Sequence, residues 1–95
     1  MKVYISGPMT GKPDFNRAAF EVAEAYIKYR GDDPVNPFNL PCHGSEWVDY
    51  MREDIKSLAE CDGIVVLPGW EGSRGACLEV HVARELGLAF TFLDA

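Results

Sequence analysis

Ile64-Val65-Val66-Leu67, followed at once by Pro68-Gly69, is the stretch that decides the fold. An unbroken apolar run of this length is what a strand covered on both faces requires, and Pro-Gly ends it. Working outward, Lys2 to Ser6 (KVYIS) repeats the pattern and is stopped by Gly7-Pro8, while Leu88 to Leu93 reads as a last strand. Asp33 to Asn36 reads as a very short strand, because Pro34, Pro37 and Pro41 keep the surrounding chain extended and out of any helix.

Between these runs the apolar period changes to that of a helix. Asp14 is the expected N-cap of a first helix in which Phe15, Ala19, Val22 and Tyr26 form a stripe, widened by Phe20, Ala23 and Ile27, with its end near Gly31. From Ser45 the period resumes with Trp47, Val48, Met51, Ile55, Leu58 and Ala59 opposite Asp49, Glu53, Lys56 and Glu60. Ser73 caps a third helix that reaches Leu86 and closes at Gly87.

Strands separated by single helices call for a parallel sheet with right-handed crossovers. The expected architecture is a small α/β three-layer sandwich, flavodoxin-like or Rossmann-like, with a sheet of about four strands in the order 2-1-3-4. Residues 1–95 are read as one domain, since compact domains of this size rarely divide. The crevice then opens at the C-terminal ends of strands 1 and 3, lined by Gly7 to Pro13 and by Pro68 to Ser73.

Hydrophobic residues make up 47% of the chain and charged residues 25%, the profile of a folded domain. A net charge of −6 repels polyphosphate, so a nucleic-acid polymer is not an expected partner. The run from Met1 to Gly11 lacks the apolar length of a signal peptide or a membrane span, and a cytoplasmic protein is expected. Cys42, Cys61 and Cys77 form no C-x-x-C pair and are read as buried free thiols; with His43 and His81 scattered, no metal is expected.

Glu79 is the most informative residue. On a wheel of about 100 degrees per residue it falls inside the apolar arc of the third helix, with Ala76, Val80, Val82, Ala83 and Leu86, while Arg74, His81, Arg84 and Glu85 already supply a solvent face. A carboxylate buried there needs a partner, because desolvating it costs several kcal/mol. A buried pair with an Arg, an edge position in a thin core, or a functional site would each account for it. Asp54 sits at the margin of the apolar arc of the second helix. The 2-1-3-4 order makes those two helices neighbours, so the two acids can meet, and burial with like charge would split their proton affinities.

The first loop is not a phosphate-binding loop of the Walker type: only Pro8, Met9 and Thr10 separate Gly7 from Gly11, and Pro13 follows Lys12. The second ends at a helix N-terminus, where Ser73, Arg74 and the backbone at Gly75 suit a monophosphate, although Ser73 equally serves as a cap. Tyr4 and Trp70 are candidates for stacking on a base, or for core packing.

Val3-Tyr4-Ile5-Ser6-Gly7-Pro8-Met9-Thr10-Gly11, Tyr50-Met51-Arg52-Glu53-Asp54-Ile55 with Cys61-Asp62, Leu67-Pro68-Gly69-Trp70, Ser73-Arg74-Gly75-Ala76 and Leu78-Glu79 together resemble the DUF4406 family. That family is similar to a compact branch of the nucleoside 2-deoxyribosyltransferase-like superfamily, which also holds deoxynucleoside monophosphate N-glycosidases. The resemblance implies Glu79 as the nucleophile that forms a glycosyl-enzyme intermediate and Asp54 as the acid that orients the substrate and helps the base leave. It implies that Gly7, Met9 and Gly11 wrap a nucleoside, and that Ser73, six positions before the nucleophile, selects a 5′-monophosphate. No metal or organic cofactor is implied. A homodimer or larger homo-oligomer is, since in longer transferases a neighbouring subunit's C-terminal segment completes each site, and here only Thr91 to Ala95 are left for that part. The activity expected is cleavage or transfer at the N-glycosidic bond of a nucleoside or nucleotide. The alternatives are a non-catalytic nucleotide-sensing module and a glycohydrolase of a larger nucleotide such as NAD.

Overall fold

Gly63–Val66 forms β3, buried along its whole length because it has a strand on either side and helices above and below. The computed structural model describes residues 1–94. Its other elements are β1 (Lys2–Ser6), α1 (Arg17–Tyr29), β2 (Asp33–Val35), α2 (Trp47–Ala59), α3 (Arg74–Glu85) and β4 (Ala89–Phe92). All three strand pairings are parallel, and the order is β2-β1-β3-β4, as expected.

Side chains alternate across the sheet with a period of two, and this alternation builds two separate cores. Val3, Ile5, Val65 and Leu67 point to one face and pack on Phe20, Ala23 and Ile27 of α1. Tyr4, Ile64 and Val66 point to the other, onto Leu58 of α2 and Val80 and Ala83 of α3. Helices α2 and α3 therefore lie side by side on one face, over the residues of β1 with even numbers.

Several boundaries and burials differ from expectation. Helix α1 begins at Arg17 and is not capped by Asp14, because Asp14, Phe15 and Asn16 all take positive φ (48°, 54° and 68°) and form a left-handed turn ahead of it. Asp14 pairs with Arg17 at 3.4 Å instead. The row α1 buries is Phe20, Ala23 and Ile27, and the expected stripe through Phe15, Val22 and Tyr26 faces outward, since one helix over a narrow sheet covers only one row. Helix α2 starts at Trp47 behind a reciprocal cap between Glu46 and Asp49, and it buries Met51 and Leu58 but leaves Trp47, Val48 and Ala59 exposed. Leu86 falls at the C-cap of α3 and is exposed too.

Strand β2 stops at Val35, because the Asn36 side chain turns back to accept from the Phe38 amide. Strand β4 keeps only the middle of the expected run. Of the three cysteines, Cys61 alone is buried; Cys42 is half-buried, and Cys77 is exposed because it lies on α3 away from the Ala76, Val80 and Ala83 row. Among the described residues no helix is long and apolar enough to cross a membrane.

The two loops at the C-terminal ends of β1 and β3 lie against each other. The Leu67 amide donates to the Ser6 carbonyl at 2.8 Å, and a Cβ on Gly7 would fall 2.6 Å from the Cβ of Leu67. Gly7 is thus required by a close approach of two chain segments. Gly7→Ala is expected to lose about 1–3 kcal/mol of stability, and Gly72→Ala, whose added methyl meets nothing within 4 Å, less than about 0.5 kcal/mol. Urea unfolding of the two variants beside the parent checks this contrast.

Candidate active site

Tyr4 and Ser6 are two residues apart on β1 and so share a face, the one beneath α3. Glu79, midway along α3, comes down between them. Tyr4 Oη donates to Glu79 Oε2 at 2.7 Å, and Ser6 Oγ donates to Oε1 at 2.6 Å. The carboxylate is only 5% exposed, and the ion pairs among the described residues do not include it. A buried acid held by two neutral hydroxyls is neither an Arg-paired structural acid nor one leaning out at a core edge.

Asp54 reaches the same place from α2. It is half-buried and close enough to Glu79 and Tyr4 for both to bear on its ionisation. Burial dominates the ionisation of both acids. It raises Glu79 to about 8, with the hydrogen bonds from Ser6 and Tyr4 pulling the other way and the Asp54 charge adding to the rise. Burial raises Asp54 to about 6, opposed by the influence of Glu79 and Tyr4 and reinforced by Glu53. Between those two values the pair holds one proton, which belongs to both carboxyls. Tyr4 is pushed well above its ordinary value, first by burial and then by the Glu79 charge, so it stays a donor.

The remaining sequence candidates lie around this centre in different environments. The Tyr4 ring is sealed in the core at 0% exposure, so it offers no face to a base; its hydroxyl is what reaches the site. Trp70 is half-buried against the same core, 6.1 Å from the ring of Phe92. Met9 packs on the α1 side of the sheet, the face opposite to Glu79. Gly11 takes φ +82° in the exposed turn closed by the Lys12 amide on the Met9 carbonyl. Ser73 Oγ accepts from the Ala76 amide at 3.2 Å and so caps α3. Gly75 lets α2 and α3 approach, since a Cβ there would lie 3.2 Å from Met51 Sδ, and Arg74 stacks over the Trp47 ring at 3.8 Å.

Ser6 was not singled out from the sequence, although its signal is simple: a polar residue two positions after Tyr4 on an otherwise apolar strand. Hollows open on the surface of the described residues. One of about 600 Å³ lies between α2 and α3 and is lined by Trp47, Met51, Ile55 and Leu78 among others. Another, about 290 Å³, lies beyond β3 and β4 and includes Pro68, Gly69, Trp70 and Phe92. Neither includes Glu79 or Asp54, and the half-exposed Asp54 is the pair's contact with solvent.

A parallel α/β sandwich with an acid pair beneath the C-terminal end of its first strand defines the class. Residues 1–92 match the model of the family described as "Domain of unknown function (DUF4406)", and the chain belongs to that family. No curated protein matches the chain. Among solved structures it is similar to one described as "2-desoxiribosyltransferase from Leishmania mexicana", with a TM-score of 0.74 at 23% identity, covering 97% of this chain. The chain spans 63% of that protein's length.

The raised value of Glu79 fixes a sign for stability. A group whose folded value lies above its unfolded one, here about 8 against 4.5, contributes most below the unfolded value, and that contribution is lost as pH rises through the folded one. The melting temperature should fall as pH rises through that window. Glu79→Gln should remove much of this slope and melt about 4 °C or more above the parent near pH 9, as calorimetric scans across pH will show.

Proposed function

We propose that this protein cleaves or transfers at the N-glycosidic bond of a nucleoside or nucleoside 5′-monophosphate, with Glu79 as nucleophile and Asp54 as acid. One observation carries the reading: a carboxylate sunk in the core with no cation, each oxygen held by a hydroxyl, beside a second carboxyl whose ionisation is coupled to its own. Structural integrity alone would be served better by an apolar residue at position 79. The likeness in fold to a protein described as a 2-desoxiribosyltransferase supports the same chemistry.

The steps follow from the pair. The shared proton passes to Asp54, leaving Glu79 as the carboxylate. A lone pair of Glu79 forms a bond to the anomeric carbon while the carbon–nitrogen bond breaks, and the Asp54 proton goes to the departing base. Water, or a second base, then attacks the anomeric carbon and gives its proton to Asp54. The carbon–oxygen bond to Glu79 breaks, with its electrons returning to the carboxylate. The carboxylate beside the ring also stabilises the positive charge that develops in each transition state. Neither step calls for a metal or an organic cofactor.

In this reading residues 1–95 form one domain, and Ser73, with the free amides at the start of α3, faces the 5′-phosphate. A homo-oligomer fits the outward apolar side chains of α1 and α2, Val22 and Tyr29 on one and Trp47 and Val48 on the other.

Incubation with a panel of nucleosides, 5′-monophosphates and NAD, followed by mass spectrometry, should show liberated base. Glu79→Gln should slow release by more than about a thousandfold with binding retained in calorimetry, and Asp54→Asn by about 10²- to 10⁴-fold. Full activity in Glu79→Gln would end the proposal; saturable binding with no base released would favour a sensing module; NAD as the sole compound cleaved would move the substrate class.

A further inference from the structure

Ser6 is the last residue of β1 and is completely buried. Its backbone is pinned: it pairs with Val66, and its carbonyl accepts from the Leu67 amide at 2.8 Å. Its hydroxyl donates to Glu79 Oε1 at 2.6 Å, the shortest of the hydrogen bonds at the acid pair. The groups facing Glu79 are Tyr4 and Ser6 from β1 and Asp54 from α2. The two hydroxyls are not equivalent: each donates to one oxygen of Glu79, but Tyr4 also bears on the ionisation of Asp54, whereas Ser6 bears on Glu79 alone of the two acids.

We propose that Ser6 is a positioning residue dedicated to the Glu79 carboxylate, which it holds as an anion and helps to depart from the sugar. This rests on the glycosyl-transfer reading above. A hydroxyl bonds a carboxylate more strongly than an ester, since hydrogen bonds to a charged acceptor are roughly twice as strong. When the anomeric carbon–oxygen bond breaks, Glu79 regains its charge, and the Ser6 bond strengthens as it does so. The same bond weakens the nucleophile slightly in the first half of the reaction. Ser6 therefore favours the ionised fraction and the second half-reaction at a small cost to the first. Burial pushes Glu79 toward the protonated acid, and the Ser6 bond is the leading influence in the opposite direction.

The test uses Ser6→Ala and the nearly isosteric Ser6→Cys, each verified by its melting curve. Protein labelled with ¹³C-carboxyl glutamate reports Glu79 ionisation directly, its signal assigned by its loss in Glu79→Gln. Ser6→Ala should raise the Glu79 midpoint by about one pH unit or more, Ser6→Cys by less, and the alkaline limb of kcat/KM, where the pair loses its last proton, should move with it. Below that limb, at the optimum pH, Ser6→Ala should give a fast first turnover and a steady rate about tenfold lower, as the glycosyl-enzyme accumulates. An unmoved midpoint in both folded variants overturns the inference, as does a first turnover slowed as much as the steady rate. A shifted midpoint in a protein that releases no base from any compound supports the hold on the anion and counts against the function instead.

Discussion

Two hydroxyls on one strand and a carboxylate on the helix above it, Tyr4, Ser6 and Glu79, form the contact on which the site depends. Burying a carboxylate in so small a core is unfavourable unless its oxygens are bonded, and here both are. The strand supplies them through its geometry alone, because residues two apart face the same way. The parallel order β2-β1-β3-β4 then puts α2 beside α3, and Asp54 comes close enough for its ionisation to couple to that of the same carboxylate. Because the donors are hydroxyls and not a cation, Glu79 keeps a proton affinity high enough to share a proton with Asp54 near neutral pH. An Arg in place of either hydroxyl would have locked the group as a spectator anion.

The supporting structure is arranged to keep this contact fixed. Strand β1 lies in the middle of the sheet, bonded on both sides, so Tyr4 and Ser6 cannot shift along it. The seal at its C-terminal end is made by Gly7 against Leu67, where a larger residue would push the two loops apart. On the far side of the pair, Gly75 allows Met51 to sit close to α3 and so sets the spacing of the two acid-bearing helices.

Much of this was legible in the sequence. The apolar runs ended by Pro and Gly marked the first, third and fourth strands, because a buried parallel strand has no solvent face to dilute its pattern, while the order 2-1-3-4 was an expectation from the flavodoxin-like arrangement. Glu79 stood out for the same reason, as an acid in an arc that should contain none. What the sequence left open came from features with no periodic signal. The left-handed turn at Asp14, Phe15 and Asn16 breaks no rule of composition, so the start of α1 was misplaced. Helix α1 presents apolar residues over more than one row, and only the width of the sheet decides which row is buried. Ser6 was missed because a lone serine closing an apolar strand carries no periodic signal of what it faces. Tyr4 was assigned by the character of its ring, when its hydroxyl is what meets the site.

The central claim is that the Glu79 carboxyl itself bonds to the sugar. Rapid acid quench of the protein with a cleavable nucleotide, followed by intact-mass measurement and peptide mapping, tests it most directly. The account predicts a transient mass gain equal to the sugar or sugar phosphate, located on the peptide that carries Glu79 and absent in Glu79→Gln. Base released with the adduct on another residue, or with no adduct under conditions that trap the first turnover, would contradict it.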